Sequence, residues 1–329
     1  MKFKNYIPLV AAVLLAIVSC TKNGKPDPEP TTPVDIYLVG NSYPPGGGPI
    51  ATLWKNGTAI YLTDNTSDSQ ASAIAINGKD IYVAGETRGP DKQLVATYWK
   101  NGVPYKLTEG PNNASAFGIF VQDADVYVVG MVTPNDIAAG TATYWKNGTA
   151  VKLSDSPSGS VATAIAVSEG DVYAAGIQDA TGKLWKNGIA TNMVDGTATL
   201  MPSSLAISNN HVYVAGVVQG SGAAYWSNGV ITMLPIGSKV SSASSIAVRN
   251  DTLYMAGHSD LDVPAYWNNG KAITLTKSSF LNYPTGIAVQ GNDIYVSGQI
   301  GGNPAYWRNG KPIKLNEQGV AFGIAVVPR

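Results

Sequence analysis

The chain has 329 residues with equal numbers of acidic and basic side chains, and its isoelectric point near 6.7 gives it no electrostatic bias toward nucleic acid. Charged residues make up only 13% of it, while Gly, Tyr and Trp are plentiful, which argues against amphipathic helices and for many short strands joined by turns. Its one cysteine, Cys20, excludes an internal disulfide in whatever follows, so stability there must come from packing.

At the N-terminus, Lys2 and Lys4 precede an apolar stretch from Tyr6 to Val18, and small residues lead into Cys20. This order resembles a bacterial lipoprotein signal, in which cleavage leaves the cysteine N-terminal and acylated. An ordinary secretion signal or a membrane helix is the alternative, but the stretch is short for a span of about 20 residues. The expectation is a signal over residues 1–20 with Cys20 as the lipidation site. Residues 21–34 hold four prolines and no apolar periodicity, so they read as an extended tether. A membrane partner through the lipid follows, on an outer-membrane lipoprotein facing the periplasm or the cell surface.

From Asp35 onward the chain repeats itself. All seven tryptophans (Trp54, Trp99, Trp145, Trp185, Trp226, Trp267 and Trp307) are followed two and three residues later by Asn-Gly, as in LWKNG, YWKNG and YWRNG. Asn-Gly between strand formers is the strongest short hairpin signal, because a type I′ turn needs positive φ at both central residues. Upstream of each lies a block of the form DVYVAG, beginning at Asp35, Asp80, Asp125, Asp171, His211, Thr252 and Asp293. A third block, of the form IAV, precedes all but the first of these and recurs at Ile324 near the C-terminus. Each repeat thus supplies four strands: A (IAV), B (DVYVAG), C (ending at the Trp) and D (after Asn-Gly).

Four antiparallel strands in about 40 to 46 residues is the period of a propeller blade. The chain enters at strand B and leaves at strand A, so one blade can be completed from both ends, which removes the exposed edges of an open solenoid. The expected fold of residues 35–329 is an all-β, seven-bladed β-propeller of four-stranded antiparallel blades, closed by a blade shared between the N- and C-terminal strands. Small residues at Ala73, Gly118, Ala164, Ser204, Ser245, Gly286 and Gly323 before the first aliphatic of strand A suit a crowded hub. Trp and Tyr would fill the wider space between blades.

With these motifs in view, the chain resembles secreted bacterial propellers built from WKNG-type extracellular repeats, often found as lipoproteins. Kelch repeats are a weaker likeness, since their double glycine is a single glycine here. The resemblance implies fold and location and almost nothing about activity.

In such a blade the A–B and C–D turns share one face of the disc and the B–C and D–A loops the other. The first set is uniform and reads as structural; the second varies, and variable loops on a rigid scaffold carry function. The B–C loops of the first three repeats are long. In that sector Phe117 and Phe322 stand near the start of strand A, where other repeats have Ser72, Thr163, Ser203, Ser244 and Thr285. The expected ligand surface takes Phe117, Phe322, Phe280, Tyr283 and Tyr43 as aromatic platforms, suited to a glycan or a surface protein. The opposing reading has the phenylalanines filling the hub and the long loops as drift.

Acids follow strand D at Asp64, Glu109, Asp155, Asp195 and, one step later, Glu317. They are weak candidates for a cation site and read better as solvated turn residues, so no metal and no cofactor is expected. The Asp opening strand B reads as a turn residue accepting backbone hydrogen bonds, and His258 beside Asp260 is a thin basis for chemistry. Arg88, Arg249, Arg308 and Arg329 are scattered, and no catalytic triad, zinc spacing or phosphate loop is present. The expected function is a monomeric, non-catalytic binding or scaffolding lipoprotein. A glycan-cleaving enzyme and a purely structural partner of an outer-membrane complex are the alternatives.

Overall fold

All seven Asn-Gly pairs adopt the backbone that their chemistry suits, with φ of 47–51° at the Asn and 79–91° at the Gly. A computed structural model describes residues 33–329 apart from 65–67, 136–138, 236–239, 261–262 and 277–281. Cys20, the signal-like segment, most of the tether and Phe280 lie outside the described residues.

Blade 2 shows the pattern: Ser69–Asn77 (A), Asp80–Arg88 (B), Leu94–Lys100 (C) and Val103–Lys106 (D) pair antiparallel in that order. Blades 3 to 7 repeat it, and blade 5 departs from the four-strand expectation by adding the two-residue strand Val194–Asp195 ahead of its strand A. Blade 1 takes strand A from Gly319–Pro328 and the others from Val34–Ser42, Ile50–Lys55 and Thr58–Tyr61. Where other blades have an A–B turn, it joins the start and end of the described segment: the Arg329 amide donates to the Pro33 carbonyl at 2.9 Å and its guanidinium to Asp35 at 2.7 Å. Neighbouring inner strands abut from blade 1 through blade 7 and back to blade 1, so the ring is closed.

The core lies between blades. Seven apolar clusters, one for each pair of neighbours including 7 and 1, each contain a single buried tryptophan. The two-residue period of strand B serves two clusters at once: Val126 and Val128 face blade 2, while Tyr127 and Val129 face blade 4. Strand D is exposed along most of its length, but the Leu or Met just after it is buried and donates its amide back to strand C, as Leu107 does to Ala96 at 2.8 Å. One apolar residue thus pins each edge strand to the ring.

The turn face is stitched by the most repeated residues. In blade 3, the Asn147 carbonyl oxygen accepts the Val126 amide at 2.9 Å, its Nδ2 donates to Asp125 at 2.8 Å, Lys146 pairs with Asp125 at 2.8 Å, and the same ammonium lies over the Tyr127 ring. The same latch recurs at Asp35, Asp80, Asp171 and Asp293, with Arg308 in place of Lys at the last. The expectation that this Asp caps backbone amides is therefore corrected: its partners are side chains from the C–D turn. Where Asp is missing, at His211 and Thr252, the cation is missing too, replaced by Ser227 and Asn268. Hydrogen bonds from Asn56 and Arg329 hold the Asp35 carboxyl down at about 2, and those from the neighbouring Lys and Asn hold Asp80, Asp125 and Asp171 below the usual range.

Candidate functional site: the axial channel and its mouth

Each inner strand carries one extra residue at the same point. The register with strand B shifts at Ser72, Phe117, Thr163, Ser203, Ser244, Thr285 and Phe322, which makes seven β-bulges. The bulge explains the glycine found within every strand B. A Cβ on Gly85, Gly130 or Gly257 would lie 1.9–2.0 Å from the carbonyl oxygen of Gln70, Ser115 or Ser242, so only glycine fits opposite it.

Inner-strand residues of all seven blades, the bulged ones among them, line an axial channel of about 550 Å³, none of whose lining side chains is ionisable. The small residues next to the bulges are explained by crowding, as expected. A Cβ on Gly118 would come within 3.0 Å of Val129, and Ser204 and Ser245 accept the amides of Ile246 and Ile287 in the next blade at 3.2 and 3.3 Å.

The bulged hydroxyls are not equivalent. Thr163, Ser203 and Thr285 each donate to a carbonyl of the following blade, at Pro202 (3.3 Å), Ala243 (2.5 Å) and Ala321 (2.6 Å). Ser72 and Ser244 make no hydrogen bond among the described residues, and Phe117 and Phe322 have none to make. Three of the seven channel-lining positions therefore latch neighbouring blades and four do not.

Three of the four unlatched positions, Ser72, Ser244 and Phe322, lie together with the latched Thr285 in one sector of the loop face. Gln70, Ser72, Ser244, Thr285 and Phe322, from blades 2, 6, 7 and 1, line a cavity of about 320 Å³ at the channel mouth. The residues after the strand-B glycines follow the same division. Blades 6, 7, 1 and 2 place His258, Gln299, Asn41 and Glu86 there, opposite Ser242, Tyr283, Val320 and Gln70, whereas blades 4 and 5 place Ile177 and Val217 opposite Val161 and Met201. Three of the polar residues stitch blades: Asn41 accepts the Ala71 amide at 3.1 Å, Gln299 donates to the Gly319 carbonyl at 2.8 Å, and His258 Nε2 donates to the Asn282 carbonyl at 3.3 Å. Burial pushes the Glu86 carboxyl up, against the opposing pull of Ser115 and Arg88.

Phe117 and Phe322, singled out in the sequence, both line the channel. Tyr283 is 42% exposed, with its ring edge-on to His258 at 5.7 Å, and Tyr43 is 39% exposed on the blade 1 loop, its amide bonded to Gln318. The B–C loops are long in blades 1 to 3 (43–49, 89–93, 134–140) and short in blades 4, 5 and 7 (179–180, 219–221, 301–302), as the sequence predicts. The mouth, however, is lined from blades 6, 7, 1 and 2 rather than from the long-loop sector alone.

Asp64, Glu109 and Asp155 are exposed on three different blades, and Asp155 pairs with Lys152 at 2.5 Å; of Asp195 only the strand is described. No group of three or more His, Cys, Asp or Glu side chains that would hold a metal is found among the described residues. Glu317 differs from its counterparts: it accepts from the Trp54 indole and from Ser42 at 3.0 Å, joining blades 7 and 1. Three of the arginines are held by carboxylates, Arg88 by Asp68, Arg308 by Asp293 and Arg329 by Asp35, and Arg249 donates to the Val289 carbonyl.

Sequence reasoning missed Gln70, Ser72 and Ser244 as site residues. Ser72 and Ser244 look the same in sequence as Ser203, which is latched, and only geometry separates them.

No protein-family model matches the chain, and no curated protein does. Among solved structures it is similar to a chain of a nidogen/laminin complex, with 9% identity, 89% of this chain and 98% of that chain covered, and a TM-score of 0.47.

Proposed function

We propose that this protein is a lipid-anchored, extracytoplasmic binding module that uses the propeller as a rigid, non-catalytic scaffold and offers the channel mouth to a glycan or protein partner. The observation that carries the reading is the uncharged channel, whose Phe117, Phe322, Ser72 and Ser244 are left over from the latching that occupies their counterparts. Concave sites with aromatic walls and a few convergent polar groups bind ligands. With no ionisable side chain in the lining, the channel itself offers no acid–base pair for glycan cleavage.

The anchoring half of the reading rests on Lys2, Lys4, the apolar stretch and Cys20, with the proline-bearing tether as spacer. Cys20→Ser should move the protein from the membrane fraction to the soluble fraction, and an unchanged distribution would overturn the anchor. Protease shaving of intact cells distinguishes a surface-facing ring from a periplasmic one. A glycan array probed with the full chain, with turnover measured on every retained glycan, tests the binding half. Turnover would overturn the non-catalytic assignment.

A further inference from the structure

We infer that the channel mouth is a subsite for one neutral sugar ring at the end of a glycan, stacked on Phe322 and hydrogen-bonded by Ser72, Ser244 and Gln70. This rests on the binding-module reading and narrows it to one ligand class.

Four properties of the mouth select that class. Its lining of Gln70, Ser72, Ser244, Thr285 and Phe322 carries no charge, so an anionic or cationic group would find no counter-charge in it. Ser72 and Ser244 have no hydrogen-bond partner among the described residues, so a wholly apolar ligand would return no hydrogen bond to either hydroxyl. Phe322 supplies a flat apolar face that a strongly hydrated polar ligand would leave unused. At about 320 Å³ the cavity is small and opens widely to solvent, at the lower end for a small-molecule site, and unlike the broad patch of about 800 Å² per partner that a protein interface needs. A ligand with one face of C–H groups and a rim of hydroxyls meets all four, and a neutral pyranose is such a ligand.

The geometry also gives the direction of entry. The bulged residues lie near the start of strand A, on the side of the B–C and D–A loops, so a chain end enters from that face. The three latched hydroxyls, Thr163, Ser203 and Thr285, keep the ring rigid as it does so. Ser72 and Ser244 sit at the repeat positions of these latching residues but are released from that duty.

The test uses the full chain on an array that carries neutral hexose and N-acetylhexosamine oligomers beside sialylated and sulfated ones, followed by titration calorimetry of the retained compounds. The expected result is retention of neutral oligomers, with affinity reduced tenfold or more by Phe322→Ala and by the double variant Ser72→Ala/Ser244→Ala. Because neither serine makes a hydrogen bond among the described residues, the double variant should melt with the wild type. Asn147→Ala removes a latch on the opposite, turn face, so it should lower the melting temperature and leave affinity unchanged. Neutral glycans bound equally by wild type and the double variant would overturn the mouth as their site while leaving the binding reading in place. Retention of charged glycans only would overturn the neutral class. No retained glycan of any kind would overturn the subsite, and capture of a protein partner by the same preparation would then show that the broader reading survives it.

Discussion

The two faces of the disc spend their polar residues differently. On the turn face, Asp, Asn and Lys recur in blades 1 to 4, with Arg308 in the Lys place in blade 7, and they satisfy one another in the same latch each time. On the loop face, the same positions hold Asn41, Glu86, Met131, Ile177, Val217, His258 and Gln299, no two of which agree. Repetition marks what ties the strands of each blade together, whereas the non-repeating residues of the loop face differ in role, Asn41, His258 and Gln299 stitching neighbouring blades. Roles differ within the hub as well, where three bulged hydroxyls latch and two do not.

The largest expected effect tests what lies between the faces. Trp145 is buried between blades 2 and 3, and Trp145→Ala should cost about 3–5 kcal/mol in urea unfolding. A loss under about 1 kcal/mol would mean that the interblade clusters do not carry the stability assigned to them.

Next comes the latch. Asn147→Ala removes the acceptor of the Val126 amide and a partner of Asp125 at a φ of 51°, for an expected loss of about 1–3 kcal/mol. Asn228→Ala in blade 5, where the Asp and Lys are absent, loses only the turn preference, about 1 kcal/mol. Equal losses would erase the distinction between latched and unlatched blades.

Much of this was legible in the sequence and some of it was not. The tryptophans, the Asn-Gly turns and the split blade could be read because each is a chemical identity that the geometry demands in every copy. The bulge could not: an extra residue such as Ser72 leaves no mark on a strand pattern, although the glycine seven times opposite it was its trace. Asp125 was misread because its partners, Lys146 and Asn147, stand about twenty residues away and meet it only across strands B and C. The long loops of blades 1 to 3 were correctly placed, but loop length did not reveal that the mouth turns toward blades 6 and 7.

Acid should weaken the turn face selectively. The Asp35 carboxyl lies at about 2, and Asp80, Asp125, Asp171 and Asp293 are also depressed, Asp293 against opposing burial by Arg308 and Asn309. A carboxyl lowered on folding stabilises above its ordinary value and loses that contribution as pH falls through the folded one. The melting temperature should therefore drop between about pH 4 and pH 2. Asp125→Asn should melt below the wild type at pH 7, with the gap closing toward pH 2; a gap independent of pH would contradict the ionic part of the latch.

The loop face should respond in the opposite sense and more weakly. The Glu86 carboxyl is raised by burial, so its ionisation opposes folding: stability is highest below the unfolded value and declines as pH rises through the folded one. Glu86→Gln should melt slightly above the wild type at pH 7 and together with it near pH 3, and a lower melting temperature at pH 7 would refute that sign. The smallest effect is expected at Asp91, exposed in the blade 2 loop, where Asp91→Ala should change stability by no more than about 0.5 kcal/mol.

Native-state hydrogen exchange, read amide by amide, tests the division of labour most directly. The amides of Ile36, Ile81, Val126, Val172 and Ile294 donate to the latch asparagines, while Val212 and Leu253 open strand B in the two blades without the Asp–cation pair. The account predicts that the first five exchange only through global unfolding, and that Val212, Leu253 and the amides of the blade 1 to 3 loops open locally and faster. Uniform protection across all seven blades, or loop-face amides slower than the latched ones, would contradict it.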